Sequence, residues 1–396
     1  MSRPTRPAPF VRLARCGRRA TSILALTLAS LPGISPAAPC PDWPLWASFR
    51  KTYITQDARV LDPGLPHQPT VSEGQAYALF FALVAGDRRQ FSALLDWTRD
   101  NLARGDLHRV SPGWHWGQSA AGHWELLDSN PASDADLWLS YALLEAGRLW
   151  QNEAYTRLGK GLADRLLRDA SAVLPSLGRS LLPAPAGFQL GPDRWRLNPS
   201  YAPVPLLRRL AALTGQSEWR EMVEPTLRLM IESAPRGISP EWAIWDARQG
   251  WQADAQSEAM GSYNAIRTYL WTGLSRSDPA FERLALGFLP WLHWVGQHGH
   301  APEALNAQTG AETAQTPREG PPGFDVAALV LADSLGFTAL RGQLQTRVET
   351  RLSGPPLGYY NHALALFGLG WLEGRYRFSP QGALLLPDGA CEPRVP

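Results

Sequence analysis

Ser133-Asp134-Ala135-Asp136-Leu137-Trp138-Leu139-Ser140-Tyr141-Ala142-Leu143-Leu144-Glu145-Ala146-Gly147-Arg148-Leu149 sets the pattern for the whole chain. Polar residues come first, and apolar side chains then return every three or four positions, the period of one face of an α-helix. The same period recurs at 43–54, 72–86, 89–104, 152–168 and 201–214, and again at 217–233, 261–274, 279–297, 324–335, 337–351 and 359–373. Glycine, proline and aspartate punctuate the intervals. These segments predict about twelve helices.

No long stretch alternates polar and apolar residues as a strand would, although short hairpins fit within 107–126 and 180–197. Segments 184–199, 234–260 and 309–323 are rich in proline, glycine and polar residues and read as long loops, which often carry function. Twelve helices in consecutive antiparallel pairs suit an open solenoid or a closed double ring. A solenoid should show a sequence period from repeat to repeat, and none is found. The expected fold is therefore all-α, an (α/α)6 barrel with cleft-forming loops, in one domain over residues 39–396.

Residues 1–38 hold Arg3, Arg6, Arg12, Arg15, Arg18 and Arg19 and no acid, then an apolar run from Ile23 to Leu31, then Ser35-Pro36-Ala37-Ala38. That is the pattern of an export signal, and its run is too short to anchor in a bilayer. Arg18-Arg19 allows a twin-arginine reading, but the residues after the pair fit it poorly. A periplasmic or secreted protein without membrane insertion is expected. Losing those six arginines turns the formal net charge of +2 into −4. The folded part then keeps no dense basic cluster, which sets nucleic-acid binding aside. Cys16 lies in the signal, so Cys40 and Cys391 remain, and in an oxidising compartment they are expected to pair and tie the two ends together.

Seventeen tryptophans and ten tyrosines are a heavy aromatic load, and many lie in or beside loops: Trp114, Trp116, Trp124, Trp195, Tyr201, Trp242 and Trp251. Large aromatics mostly fill cores. As a group in loops, however, they favour a cleft for the flat faces of sugar rings. Glu73 opens a helix, where an acid ordinarily complements the helix dipole. To act as a proton donor it needs burial or neighbours that raise its pKa. Ser133 and Asp136 form a variant capping box, which leaves Asp134 free for a ligand. Two residues apart, the two aspartates cannot share a helix face. No metal, phosphate or serine-nucleophile motif is present, so no metal and no cofactor are expected.

Set side by side, Cys40-Pro41-Asp42-Trp43-Pro44, Ser72-Glu73-Gly74-Gln75, Trp114-His115-Trp116-Gly117, Asp128-Ser129-Asn130, the Ser133–Asp136 run continuing to Trp150, Asn198-Pro199-Ser200-Tyr201, Ser262-Tyr263, Ala265-Ile266-Arg267 and Tyr359-Tyr360-Asn361 resemble glycoside hydrolase family 8. Within it they resemble the periplasmic endoglucanases encoded with bacterial cellulose synthase. The resemblance implies a cleft that binds a β-1,4-glucan chain and cuts internal bonds with inversion, which needs two carboxyls with a water between them. It makes Glu73 the general acid and Asp134 the signature active-site aspartate. Trp114, Trp116, Tyr201, Tyr263, Arg267 and Tyr360 become contacts to substrate, and a cellulose synthase export complex a possible partner. One position departs from the pattern. Where this branch carries its catalytic base aspartate stands Asn264, and an amide cannot take a proton from water. Three readings follow: the cleft binds without cutting, another carboxylate such as Asp134, Asp254 or Glu258 supplies the base, or Asn264 deamidates slowly to aspartate, which the following Ala265 does not favour.

Overall fold

A computed structural model describes residues 42–311, 318–354 and 357–387. Residues 1–38, Cys40 and Cys391 lie outside the described residues, and so does the expected disulfide. The chain begins with α1 (Pro44–Tyr53), β1 (Thr70–Val71), α2 (Ser72–Val84) and α3 (Arg88–Trp97), which ends in a wide turn over Thr98–Leu102. Then come β2 (His115–Gln118), β3 (Trp124–Asp128), α4 (Ser133–Leu149), α5 (Glu153–Asp169), β4 (Ser171–Leu174), β5 (Gly178–Leu181), β6 (Gln189–Gly191) and β7 (Arg194–Leu197). The middle holds α6 (Val204–Thr214), α7 (Glu218–Glu221), α8 (Val223–Glu232), β8 (Ala243–Asp246), β9 (Gly250–Ala253), β10 (Met260–Gly261) and α9 (Ala265–Leu274). Last are α10 (Phe281–Gly287), α11 (Leu289–His298), β11 (Leu305–Asn306), α12 (Pro322–Ser334), α13 (Thr338–Leu352), α14 (Tyr359–Leu372), β12 (Arg377–Phe378) and β13 (Leu384–Leu385).

Burial sorts these helices into two alternating sets. α2 is buried from Gly74 to Leu83, α4 from Ser133 to Gly147, α9 along its length, α12 from Gly323 to Ala332 and α14 from His362 to Gly368. Helices apolar on every side belong inside. Between them in sequence, α3, α5, α11 and α13 bury one stripe each, such as Phe91, Leu94 and Leu95 on α3, or Leu344 and Val348 on α13. The alternation is that of an (α/α)6 barrel, an inner ring of helices wrapped by an outer one. The ring closes where Phe81 of α2 meets Phe367 of α14 at 4.6 Å between centroids, and Trp138 of α4 and Trp271 of α9 join the same aromatic cluster. Close approach of α12 and α14 depends on Gly368, where an added Cβ would lie 2.3 Å from Val326 Cγ1.

Three expectations are corrected. The segments at 217–233 and 279–297 are each broken in two, because Pro225 and Pro290 fall in the first turns of α8 and α11, lack an N–H for the preceding turn and collide with its carbonyl. The capping box at Ser133 and Asp136 does not form: the cap residue is Ala132 and it donates no side chain, while Ser133 N–H reaches Pro183 O at 2.9 Å. The expected loop 234–260 contains β8 and β9, which extend the β6–β7 hairpin into a four-stranded sheet. Strands of four residues are too short to show alternation, and a turn in which Asp246 Oδ1 accepts from Arg248 N–H and Gln249 N–H joins them.

Glu145, fully buried on α4, shows how polar groups lock inner to outer elements. Its carboxylate accepts from Arg209 Nε at 2.5 Å, from Arg148 and from Leu384 N–H at 3.1 Å. Removing one partner of a buried ionic cluster leaves the others uncompensated. Glu145→Ala is expected to lower unfolding free energy by about 3–5 kcal/mol in urea denaturation.

Candidate active site

The three-stranded sheet β1-β2-β3 positions the first carboxyl. Ser72 N–H bonds Trp114 O at 2.9 Å, Val71 pairs with His115, and the chain turns at once into α2. Glu73, in that first turn, is thereby brought under the hairpin. Trp114 Nε1 donates to its Oε1 and Ser72 Oγ to its Oε2, each at 3.3 Å. One turn along α2, Tyr77 lies on the same face.

The second carboxyl comes from α4. Asp134 is 1% exposed, and its Oδ1 accepts from Ala135 N–H while its Oδ2 accepts from Arg267 Nη1 at 2.8 Å. The same Nη1 donates to the Tyr77 hydroxyl at 2.8 Å, and Nη2 donates to Asn264 Oδ1 at 2.8 Å. Arg267 Nε is buried with no partner among the described residues. A guanidinium on α9 thus joins α2, α4 and the start of α9. Asp136 faces the other way, toward Ser111 and Arg165, in a cavity of about 320 Å³ on the far side of α4, as a two-residue offset on a helix requires.

Charge divides between the two carboxyls. Burial pushes the Glu73 carboxyl up to about 7, the Asp134 charge adds to the rise, and its own backbone N–H, Arg267 and the Trp114 indole oppose it. Burial also raises Asp134, against the pull of Arg267. The guanidinium is hydrogen-bonded to Asp134 and not to Glu73, which favours the negative charge on Asp134 and the proton on Glu73. A carboxyl poised in this way can serve as a general acid.

Aromatic rings flank this centre. Trp116 and Trp124 stack at 5.0 Å with Arg59 over both, and Trp114 and Trp124 are exposed. On another wall Trp242 stacks on Phe188 at 5.5 Å and leans on Tyr201, whose ring lies 5.5 Å from the Arg267 guanidinium. Tyr360 donates its hydroxyl to Tyr263 O at 2.6 Å, and the exposed Tyr263 ring packs on Phe324. Trp195 and Trp251 behave otherwise: they pack with Trp245, Leu197 and Leu229 under the four-stranded sheet.

The structure therefore brings Glu73, Asp134, Asn264, Trp114, Tyr201, Arg267 and Tyr360 together, with Trp116 and Tyr263 on the flanks. Sequence reasoning missed Tyr77, although its four-residue offset from Glu73 was visible. It also missed Glu241, whose Oε2 accepts from Asn264 Nδ2 at 2.5 Å. That residue is one of four acids in segment 234–260, and only the fold carries it to Asn264. Of the alternative bases, Asp254 is clamped by Arg196 through two bonds at 3.1 and 2.9 Å, and Glu258 is exposed on a left-handed backbone, φ 52°.

Comparison with known proteins agrees with this fold. The model of "Glycosyl hydrolases family 8" matches residues 20–374. A relative from Salmonella typhi named Endoglucanase is 42% identical over 366 residues, 92% of this chain and 96% of its own. Among solved structures, the endo-1,4-D-glucanase from Vibrio fischeri ES114 superposes with a TM-score of 0.81 at 40% identity, covering 87% of this chain and 99% of its own. The endo-beta-1,4-glucanase from Acetobacter xylinum gives 0.70 at 26% identity, covering 84% and 98%. A barrel with two neighbouring carboxyls in an aromatic cleft, and relatives alike along nearly their whole length, lead to one statement: the chain belongs to glycosyl hydrolases family 8.

Proposed function

We propose that this protein is an endo-1,4-β-glucanase that cuts internal bonds of a β-1,4-glucan chain with inversion. The observation that carries this reading is Glu73, set against the Trp114 indole and the Ser72 hydroxyl in the aromatic cleft, where burial and the charge of Asp134 push its carboxyl up to about 7. Its proton goes to the glycosidic oxygen as the bond breaks, and a water attacks the opposite face of the sugar. Arg267 fixes Asp134 and Tyr77 in place, and the ring pairs Trp116–Trp124 and Phe188–Trp242 supply flat surfaces on either side for successive glucose units. Stacking of this kind acts equally before and during bond breaking. Trp124→Ala is therefore expected to raise KM for cellohexaose by about three- to tenfold with kcat little changed.

The same reading places the protein outside the cytoplasm, with residues 1–38 as its export signal, residues 39–396 as its catalytic domain, and a glucan chain leaving a cellulose synthase export complex as its substrate. The support for location is the arginine-rich start and short apolar run of the sequence. The test of activity is to incubate purified protein with carboxymethylcellulose and follow viscosity against reducing ends, with NMR of the first anomer formed from cellohexaose. Early viscosity loss and an α-anomer support the reading; a β-anomer overturns inversion. Asn264 favours a second reading, a cleft that guides glucan without cutting it. That reading requires tight cellohexaose binding with no product.

A further inference from the structure

Resting on the glucanase reading, we propose that Glu241 is the general base of this protein, held in place by the Asn264 amide.

The partners of Asn264 fix the orientation of its amide. Oδ1 accepts from Arg267 Nη2 at 2.8 Å, so the amide nitrogen must face the other way, where Glu241 Oε2 accepts from it at 2.5 Å. Both ends of the amide are occupied by residues of opposite charge. An aspartate at 264 would still satisfy Arg267, but it would set a second carboxylate within hydrogen-bond distance of Glu241, and two such groups cannot both ionise. The amide removes that conflict. It leaves one anion at this end of the cleft, and the anion is Glu241.

The carboxylate is anchored from below. Its Oε1 accepts from Ser262 N–H at 2.7 Å, Asn264 N–H at 2.9 Å and Ala265 N–H at 3.3 Å, all at the start of α9, and Glu241 N–H itself bonds Met260 O. Oε2 is less committed. Besides the amide it has a 3.1 Å contact from Asn264 N–H, which it shares with Oε1. The branch to Oε2 is the longer one, so only the amide is firmly bonded to Oε2, and its second lone-pair direction can take a water. Glu241 is half-buried, unlike Asp134 and Asp254, which are almost fully buried and committed to Arg267 and Arg196. The charged and titratable groups facing it are Arg267 through Asn264, Tyr360 from α14 and Tyr269 from α9. Hydrogen bonds run from Glu241 to the Asn264 amide, from Asn264 to Arg267 and from Arg267 to Asp134, which ties Glu241 to the centre.

In the step that follows, water bridging Asn264 and Glu241 gives a proton to Glu241 Oε2, and its oxygen forms a bond to the anomeric carbon. The bond from that carbon to the glycosidic oxygen breaks, and the oxygen takes the Glu73 proton. Glu241 ends as carboxylic acid and Glu73 as carboxylate, and exchange with solvent resets both.

The experiment compares purified wild-type protein with Glu241→Gln, Glu241→Ala and the double variant Glu241→Gln/Asn264→Asp, on cellohexaose from pH 4 to 9. Glu241→Gln is expected to lose about a hundred- to ten-thousandfold in kcat, with KM changed less than threefold. Added azide should restore turnover in Glu241→Ala as the inverted glycosyl azide, and the double variant should recover rate because its base has moved to 264. Hydrolysis within tenfold of wild type in folded Glu241→Gln overturns Glu241 as base and leaves the glucanase standing. If Glu241→Gln does not fold, an unchanged rate in folded Glu241→Ala, which has no carboxylate, overturns it equally. Cellohexaose bound by wild type without any product overturns the glucanase reading itself.

Discussion

Glu73→Gln is expected to lower kcat on cellohexaose by about a hundred- to ten-thousandfold. Glutamine keeps the shape and the bond from the Trp114 indole but has no proton to deliver to the leaving oxygen. The loss should shrink on an aryl cellobioside whose phenol leaves without protonation, which separates a missing acid from a damaged cleft. In the wild type the alkaline limb of kcat/KM should fall near pH 7, where the carboxyl loses its proton, and should be absent in the variant. Stability moves as well. The folded pKa, about 7, lies above the ordinary value of 4.5, so between these values the folded state holds a proton that the unfolded state has released. Stability falls as pH rises through that window. Glutamine has no charge to bury, and Glu73→Gln is expected to be more stable than wild type at pH 8 by about 1–2 kcal/mol, with the difference vanishing near pH 4.

Asp134→Asn is the other large effect. It removes the charge that helps hold the proton on Glu73, so the alkaline limb should move to lower pH, away from about 7 and toward the ordinary carboxylate range. It also leaves Arg267 buried beside a neutral amide, which is expected to cost about 3 kcal/mol in urea unfolding and to loosen Tyr77 and Asn264 together. At pH 7 the product is a folded protein whose kcat is down about a hundredfold. An unmoved alkaline limb in Asp134→Asn would show that burial alone sets the Glu73 proton.

The barrel was legible because helical periodicity is a local property. From α2 to α14 the apolar spacing predicts most helices to within a few residues, and where it ran through Met222 and Phe288 the break comes from prolines it should have weighed. Strands of two to four residues carry no comparable period, and the four-stranded sheet was only half seen. At the site, Glu73, Asp134 and Arg267 came from motif resemblance, and the structure adds why they work together: a guanidinium no spacing argument could place. Residue 264 reads in sequence as a lesion. In the fold it is a tether between Arg267 and Glu241, two residues whose distance along the chain, 26 positions, hides their common partner.

The contact of Phe81 with Phe367 joins the first inner helix to the last. An open row of helix pairs can fray from either end, each pair lost at its own small cost. A ring has no such end, so α14 cannot leave without exposing the aromatic faces of α2, α4 and α9 at once. Native lifetime is then governed by one high barrier rather than by the weakest pair, and a protease finds few partly opened states to cut.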